Sequence, residues 1–226
     1  MRRWASLLAV ATLALVLPGA ALGVATLISP APGEVVRTSH PVFRWSVPAN
    51  EESDYIYVAT SPQMTPDGEF YSENVEDMDV FFGNETSWAP TYPLAAGSYW
   101  WLVGTHSPDT WDSYYTAPSA FSIPADVAIS GVRVKRYRWL RLIDVDVTWR
   151  SNTDGATVTA RLSRNGRAVW SKREVVDYNT IDESMTTNLY WYVRSKKLRR
   201  GTPLRLEVTV SAGGATATAS RSTRVP

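Results

Sequence analysis

The sequence predicts an all-β protein, with two tandem antiparallel β-sandwich domains that follow a signal peptide. Apolar residues recur at every second position in short runs, and Pro, Gly, Asn and Asp separate these runs. No segment keeps a helical period for long, and about seven short strands in about 100 residues are typical of a two-sheet sandwich. The charge changes sign near Pro124, which divides the chain after its leader into predicted domains of residues 24–124 and 125–226.

Residues 1–23 have the pattern of a secretory signal peptide. Arg2 and Arg3 precede an apolar run over residues 7–17, and small residues lead to a predicted cleavage site after Gly23. An uncleaved anchor is the alternative, but an apolar run of about ten residues is short of the ~20 that span a bilayer. No later stretch looks able to cross a membrane, so we expect a secreted, extracellular or cell-wall-associated protein.

The two predicted domains carry opposite charge. Residues 24–124 contain thirteen Asp and Glu but only two basic residues, Arg37 and Arg44, which gives a net charge of −11. Residues 125–226 contain nineteen Arg and Lys against nine Asp and Glu, a net charge of +10. This contrast indicates different electrostatic roles for the two halves. Without Cys, stability must come from apolar burial and backbone ladders, and nineteen Arg against four Lys indicate a GC-rich bacterial source.

The first domain contains six clear strand patterns. In the first of them Phe43 and Trp45 share one face, while Val42 lies on the other. The predicted strands cover residues 41–47, 55–61, 69–72, 80–82, 98–105 and 117–123.

Three motifs in this domain stand in a familiar order. They are Phe43-Arg-Trp45, Thr86-Ser-Trp88-Ala-Pro90 and Leu94-Ala-Ala-Gly97-Ser-Tyr99-Trp100-Trp101. On these motifs, residues 26–124 resemble a bacterial fibronectin type III domain. The resemblance implies that Trp45 and Tyr99 are core partners, and it implies no catalytic activity, because that scaffold serves adhesion, spacing and ligand binding alike.

The second domain repeats the strand pattern with clearer turns. Asn165-Gly166 between alternating segments predicts a hairpin of residues 156–162 and 167–175, because both turn positions need positive φ. A second hairpin, of residues 204–211 and 215–220, closes through Gly213-Gly214. The strand 142–149 should bury Ile143, Val145, Val147 and Trp149 and place Leu142, Asp144, Asp146 and Thr148 on the opposite face. This half resembles a generic immunoglobulin-like sandwich of no specific family.

The sequence gives little support for catalysis, a cofactor or a metal. Two histidines, His40 and His106, lie outside any nucleophile or metal motif, and there is no Cys to supply a thiolate. The acidic segment 73–79 offers oxygen ligands for calcium but lacks the EF-hand spacing. A solvated acidic loop that blunts a sheet edge is the alternative. We therefore expect no enzyme, no cofactor and no metal, with the calcium question open.

A loop over residues 106–115 is the candidate ligand site of the first domain. It mixes aromatic rings, which stack on sugars, with carboxylates, which accept hydroxyl hydrogen bonds. The alternative is that Trp111 folds back to cap the core. The candidate ligand-binding residues are Asp109, Trp111, Asp112 and Tyr114.

Two basic clusters of the second domain are the candidate anion-binding or partner-binding sites. The alternative is a solvated face that contacts an acidic domain. A separate aromatic motif of this domain, Tyr190-Trp191-Tyr192, should place its two tyrosines on one face of a strand. The basic-cluster candidates are Lys135, Arg136, Arg138, Trp139, Arg141, Lys196, Lys197, Arg199 and Arg200.

These patterns predict a secreted, non-catalytic binding or adhesion module of the cell surface. The basic domain would attach to a cell-wall polysaccharide, an anionic polymer or a protein partner, while the first domain presents its loops. We expect no nucleic-acid partner, since an exported protein meets little nucleic acid. The alternatives are head-to-tail self-association of acidic and basic halves, and a carbohydrate-active enzyme or its accessory glycan-binding module.

Overall fold

A computed structural model describes residues 24–49, 51–108, 113–177, 181, 184–193 and 198–226. The described residues form β-strands and one short 3-10 turn at Ser72–Asn74, with no α-helix among them. The all-β prediction is therefore confirmed. No helix in this part of the chain is long and apolar enough to span a membrane.

The described residues of the N-terminal half, residues 24–124, form two sheets. The smaller sheet has the order β1-β3-β6, and the larger has the order β2-β9-β7-β4-β5, with β8 added to β7. Neighbouring strands are antiparallel except β2, which runs parallel to β9. The strands are β1 (Thr26–Ser29), β2 (Glu34–Val35), β3 (Phe43–Ser46), β4 (Glu52–Ala59), β5 (Val75–Gly83), β6 (Ser87–Trp88), β7 (Gly97–His106), β8 (Ser113–Tyr115) and β9 (Ser119–Ile123).

An aromatic core lies between these two sheets. Phe43 of the small sheet meets Trp101 of the large one with ring centroids 5.1 Å apart. Trp45 and Tyr99 are both buried in this core, where Trp45 contacts Phe81 and Tyr99 stacks on Phe121. The Tyr99 hydroxyl donates a hydrogen bond of 2.8 Å to the carbonyl of Ala95, four residues upstream. This backbone tie fixes the corner that leads into β7.

The outer face of the larger sheet is covered by the segment that joins β4 to β5. Tyr57 and Leu102 form a second small core with Phe70 of this segment. The strand predicted over residues 69–72 is wrong, because Phe70 makes only an isolated bridge to Met64 before the 3-10 turn begins. The connection folds over the sheet as a cover and does not extend it.

The described residues of the C-terminal half, residues 125–226, form two further antiparallel sheets, ordered β10-β11-β14 and β13-β12-β15-β16. If the short strands β2 and β8 are left aside, both halves share one strand order. Counted along the chain within each half, the first, second and fifth strands form one sheet. The fourth, third, sixth and seventh strands, in this spatial order, form the other. The strands are β10 (Val127–Tyr137), β11 (Leu142–Ser151), β12 (Ala156–Arg164), β13 (Arg167–Val176), β14 (Met185–Tyr192), β15 (Pro203–Ala212) and β16 (Ala215–Arg224).

The core of this half confirms the pattern predicted for β11. Ile143, Val145, Val147 and Trp149 are all buried, and the Trp149 indole donates to Thr187 Oγ1 at 3.0 Å. Both predicted hairpins are present, with positive φ at Asn165, Gly166, Gly213 and Gly214. Leu142 and Asp144, predicted for the opposite face of β11, are buried as well.

Asn152 connects the two halves through several hydrogen bonds. Its amide nitrogen Nδ2 donates to the carbonyl of Pro124 at 2.9 Å, and its Oδ1 accepts from the Asp126 backbone N–H at 2.7 Å. The Asn152 carbonyl also accepts from the backbone N–H of Ala96 at 2.7 Å. The turn after β11 therefore holds both the connection 124–126 and the corner before β7.

Candidate anion-binding groove

Two edge strands of the C-terminal half lie side by side and line an open groove. β10 is at the edge of the three-stranded sheet, and β16 is at the edge of the four-stranded sheet. The first section of the groove encloses about 640 Å³ and is lined by residues 132–134, 136 and 221–224. The second section encloses about 650 Å³ and continues to residues 138, 200–201 and 224–226. Residue numbers rise from the first section to the second in both strands, so β10 and β16 run in the same direction along the groove.

Six arginines line the two sections, which share Arg136 and Arg224 and so form one continuous surface. We call this surface the arginine groove. Its basic residues are Arg133, Arg136, Arg138, Arg200, Arg221 and Arg224. Neither section has an Asp or Glu side chain in its lining. Arg133 lies in β10 and Arg138 comes directly after its last residue, a span of about 16 Å at the spacing of an extended strand.

The sheet register explains how Arg136 reaches the groove. Arg136 is paired with Ile143 across β10 and β11, and directly opposed residues project to the same face of a sheet. Ile143 is buried in the core between the two sheets. Arg136 therefore lies on the inner side of its sheet, where the sandwich opens at its edge.

A turn after β14 brings Arg200 to the same place. The Thr202 backbone N–H donates to the Arg199 carbonyl, and Gly201, with φ at +77°, donates to the Val225 carbonyl at 2.9 Å. The Val225 N–H returns a bond to the Thr202 carbonyl. These bonds attach the turn to the end of β16, and the Arg200 guanidinium donates to the Arg138 carbonyl at 3.4 Å.

The charge of the arginine groove is not neutralised locally. In the described portion of the chain, ion pairs involve His106, Lys135 and Lys172, and none includes a groove arginine. Guanidinium groups present planar donor pairs that match carboxylate and phosphate oxygens. Six of them in one groove, without a carboxylate partner, create a positive field that attracts an extended anion.

The basic residues predicted from sequence divide into several groups. Arg136, Arg138 and Arg200 line the arginine groove. Trp139 is 79% exposed. Arg199 is also exposed, and its carbonyl accepts a hydrogen bond from the Thr202 hydroxyl in the neighbouring turn. Lys196 and Lys197 lie outside the described residues.

Lys135 and Arg141 face elsewhere. The Lys135 ammonium lies 2.8 Å from Asp146 Oδ2, on the outer face of the three-stranded sheet, and this hydrogen bond raises the pKa of Lys135. Arg141 has a φ of +50° and donates to the Leu198 carbonyl at 2.9 Å, so it holds the two loops together. These two side chains stabilise the structure beside the groove.

Sequence reasoning missed Arg221 and Arg224. Each is an isolated charge in the last strand, about 85 residues after the basic run of β10. The signal that could have found them is topological, because the first and last strands of this sandwich are adjacent at the edges of the two sheets.

The candidate ligand loop of the N-terminal half is described only in part. Asp109, Trp111 and Asp112 lie outside the described residues, whereas Tyr114 is an exposed residue of β8, paired with Thr105 of β7. The short strand β8 thus pairs with the end of β7 at this position.

Acidic groups near this hairpin surround a buried histidine. His106 Nε2 lies 3.8 Å from Glu52, and Nδ1 lies 3.9 Å from Asp54. Burial raises the pKa of Asp54, while the charge of His106 acts in the opposite direction. This arrangement holds β4 and β7 together at their ends.

The acidic segment 73–79 forms the 3-10 turn and the start of the edge strand β5. Asp79 accepts hydrogen bonds from the Val80 backbone and from the Trp88 indole, at 2.8 and 2.9 Å. Across the described ranges, no group of three or more His, Cys, Asp or Glu side chains is placed to hold a metal ion.

Comparisons with known proteins find structural matches of low similarity. No protein-family model matches the chain, and no curated protein matches it in sequence. Dimeric latent PorU from Porphyromonas gingivalis is 12% identical with a TM-score of 0.30, over 89% of this chain and 20% of that chain. Streptomyces avermitilis α-L-rhamnosidase, complexed with L-rhamnose, is 14% identical with a TM-score of 0.28, over 88% of this chain and 25% of that chain.

The BSP domain of a biofilm-associated protein is a further match. It is 16% identical with a TM-score of 0.28, over 89% of this chain and 29% of that chain. The chain thus spans less than a third of each of these three proteins. At such scores the matches carry no functional argument, and what the chain does must be inferred from its own surfaces.

Proposed function

We propose that this protein is a secreted, non-catalytic binding module of the bacterial cell surface, which attaches to an anionic polymer through the arginine groove. The observation that carries the proposal is the continuous row of six arginines, which have no carboxylate partner among the residues that the structure describes. A groove of about 16 Å that is open at both sections suits a linear polymer better than a small ion. Phosphate or carboxylate groups along such a polymer would each meet a guanidinium.

The N-terminal half supports the module character of the protein. Its two facing sheets and the Tyr99 hydrogen bond to Ala95 agree with a fibronectin type III-like domain, in which a tyrosine hydroxyl bonds to backbone a few residues upstream. We propose that residues 24–124 form this domain and that residues 125–226 form the basic, immunoglobulin-like one. The first domain would present its loops to a further partner.

Co-sedimentation with purified cell-wall sacculi tests this function. The wild-type protein should pellet with sacculi that retain their anionic polymers at 0.1 M salt. It should be released at 1 M salt, because the Debye length falls from ~10 Å to ~3 Å. Replacing the two shared arginines, Arg136→Gln and Arg224→Gln, should abolish pelleting at 0.1 M salt.

The matched control removes two charges from the opposite edge of the same half. Arg164 and Arg167 flank the exposed turn between β12 and β13, so Arg164→Gln with Arg167→Gln loses the same charge without touching the groove. The proposal fails if both double variants pellet equally, or if wild-type protein does not pellet at low salt.

Two alternative functions would give different results. Head-to-tail self-association of acidic and basic halves would make the sedimentation coefficient rise with protein concentration at low salt, without any sacculi. A carbohydrate-active enzyme would release soluble sugar from the sacculi, whereas an attached module leaves them intact.

A further inference from the structure

The outer face of the sheet β10-β11-β14 combines tyrosines with carboxylates in register. One row across the three strands is Lys135, Asp144 and Tyr190, and the next row ends in Tyr192. We call this surface the tyrosine–aspartate face. Its members are Arg133, Asp146 and Asn188 in the first row, Lys135, Asp144 and Tyr190 in the second, and Tyr137, Leu142 and Tyr192 in the third.

The two tyrosines of β14 are open to solvent. Tyr190 is 48% exposed and Tyr192 is 54% exposed, whereas Trp191 points the other way and stacks on Trp170 at 6.0 Å. Leu142 is buried in the row that Tyr192 shares, although it lies on the outer face. Residues two apart on a strand are about 7 Å apart, so the tyrosines present neighbouring aromatic surfaces on one side of the sheet.

A buried carboxylate beside them has an unused acceptor. Asp144 is only 7% exposed, and within the described part of the chain its Oδ1 has no hydrogen-bond partner. Its other oxygen, Oδ2, lies 3.9 Å from Lys135 Nζ, which contacts Asp146 more closely at 2.8 Å. A buried polar atom is normally satisfied, and leaving one unpaired is unfavourable. Asp144 Oδ1 is covered in this conformation, so a donor from outside reaches it when the exposed side chains paired with it across the sheet, Lys135 and Tyr190, turn aside.

The charges of the face indicate the kind of ligand. Lys135 lies beside both Asp144 and Asp146, so this face carries no excess positive charge, in contrast to the arginine groove, to which Arg133 contributes its charge. Lys135 already supplies a cation beside the two carboxylates. Asp144 Oδ1 is therefore left to accept a hydrogen bond from an uncharged donor. Hydroxyl groups are such donors, and the exposed tyrosine rings offer flat apolar surface beside them.

We infer that the tyrosine–aspartate face binds a neutral saccharide, with sugar rings on Tyr190 and Tyr192 and a sugar hydroxyl donating to Asp144. Asn188 and Asp146 in the adjacent row provide further hydrogen-bonding groups along the same path. This site is separate from the arginine groove, which takes anions, and it does not depend on the function proposed for that groove.

The test uses the full-length mature protein on an array of neutral oligosaccharides, with washes in 0.5 M salt. At this ionic strength electrostatic attraction in the arginine groove is largely screened. We expect at least one neutral oligosaccharide to bind, and titration calorimetry with that compound gives the affinity. Tyr190→Ala combined with Tyr192→Ala should weaken binding at least tenfold, and Asp144→Ala should weaken it by a similar factor.

Matched controls separate this site from other surfaces. Tyr71 and Tyr92 are exposed tyrosines of the N-terminal half, so Tyr71→Ala with Tyr92→Ala should leave the affinity unchanged. Arg136→Gln with Arg224→Gln should also leave it unchanged, even though sacculus binding is lost. Circular dichroism checks that each variant is folded. The inference is overturned if no neutral oligosaccharide binds, or if the Tyr190 and Tyr192 double variant and Asp144→Ala both bind like wild type.

Discussion

Replacing Asn152 by Ala should destabilise the protein by about 2–3 kcal/mol. The substitution removes two side-chain hydrogen bonds, to the Pro124 carbonyl and from the Asp126 N–H, at 2.9 and 2.7 Å. Each such bond contributes about 1 kcal/mol net, and a backbone group left unpaired adds to the loss. Asn152 is 9% exposed, so water replaces these bonds poorly.

Urea unfolding followed by tryptophan fluorescence measures this effect. The urea concentration at the unfolding midpoint should fall. In a thermal melt of a protein of this size, about 2–3 kcal/mol corresponds to a melting temperature lower by about 4–12 °C. The backbone bond from the Ala96 N–H to the carbonyl of residue 152 stays in this variant, so the loss measures the two side-chain bonds at the connection 124–126.

The control for this prediction is Asn84→Ala, which replaces an exposed asparagine between β5 and β6. It should change stability by less than about 0.5 kcal/mol, as surface substitutions usually do. The reasoning would be refuted by an Asn152→Ala variant whose stability lies within that same range, since the two side-chain bonds would then contribute nothing.

Three further predictions concern packing and ionisation. Gly104→Ala should cost about 1–3 kcal/mol, because its Cβ would lie 2.8 Å from the Tyr115 ring, and urea midpoints should show a smaller cost in a Tyr115→Ala background. Burial raises the pKa of Tyr99 and Tyr57 to about 12, so stability should fall between pH 10 and 12 as the unfolded tyrosines ionise first. Tyr99→Phe should reduce this alkaline loss, and an unchanged slope would contradict the assignment. Burial also raises the pKa of Asp144, so Asp144→Asn should leave stability at pH 7 equal or higher, which thermal melts can check.

Local sequence patterns predicted the elements whose formation depends on neighbouring residues. The turn at Asn165-Gly166 and the buried alternation of Ile143 and Val145 are both present in the structure. These features depend on φ preferences and on the two-residue period of a strand, which act within a few residues.

The parts that sequence missed depend on contacts between distant strands. The charged residues of β10 hide the alternation of Val132 and Val134, so the local pattern there predicts a basic cluster. The partners of that strand in the arginine groove, Arg221 and Arg224, come from the other end of the half. The burial of Asp144 likewise follows from its neighbours across the sheet. No local pattern carries this information.

The strand β2 occupies, in the N-terminal half, the sheet edge that stays open in the C-terminal half. It pairs with β9, which has the same place in the strand order as β16. An open edge invites pairing with another chain, and charged side chains along it prevent this. We therefore expect the arginines to oppose aggregation of the protein through β16. A bound polyanion that neutralises them would remove this protection and favour clustering of the protein on the polymer.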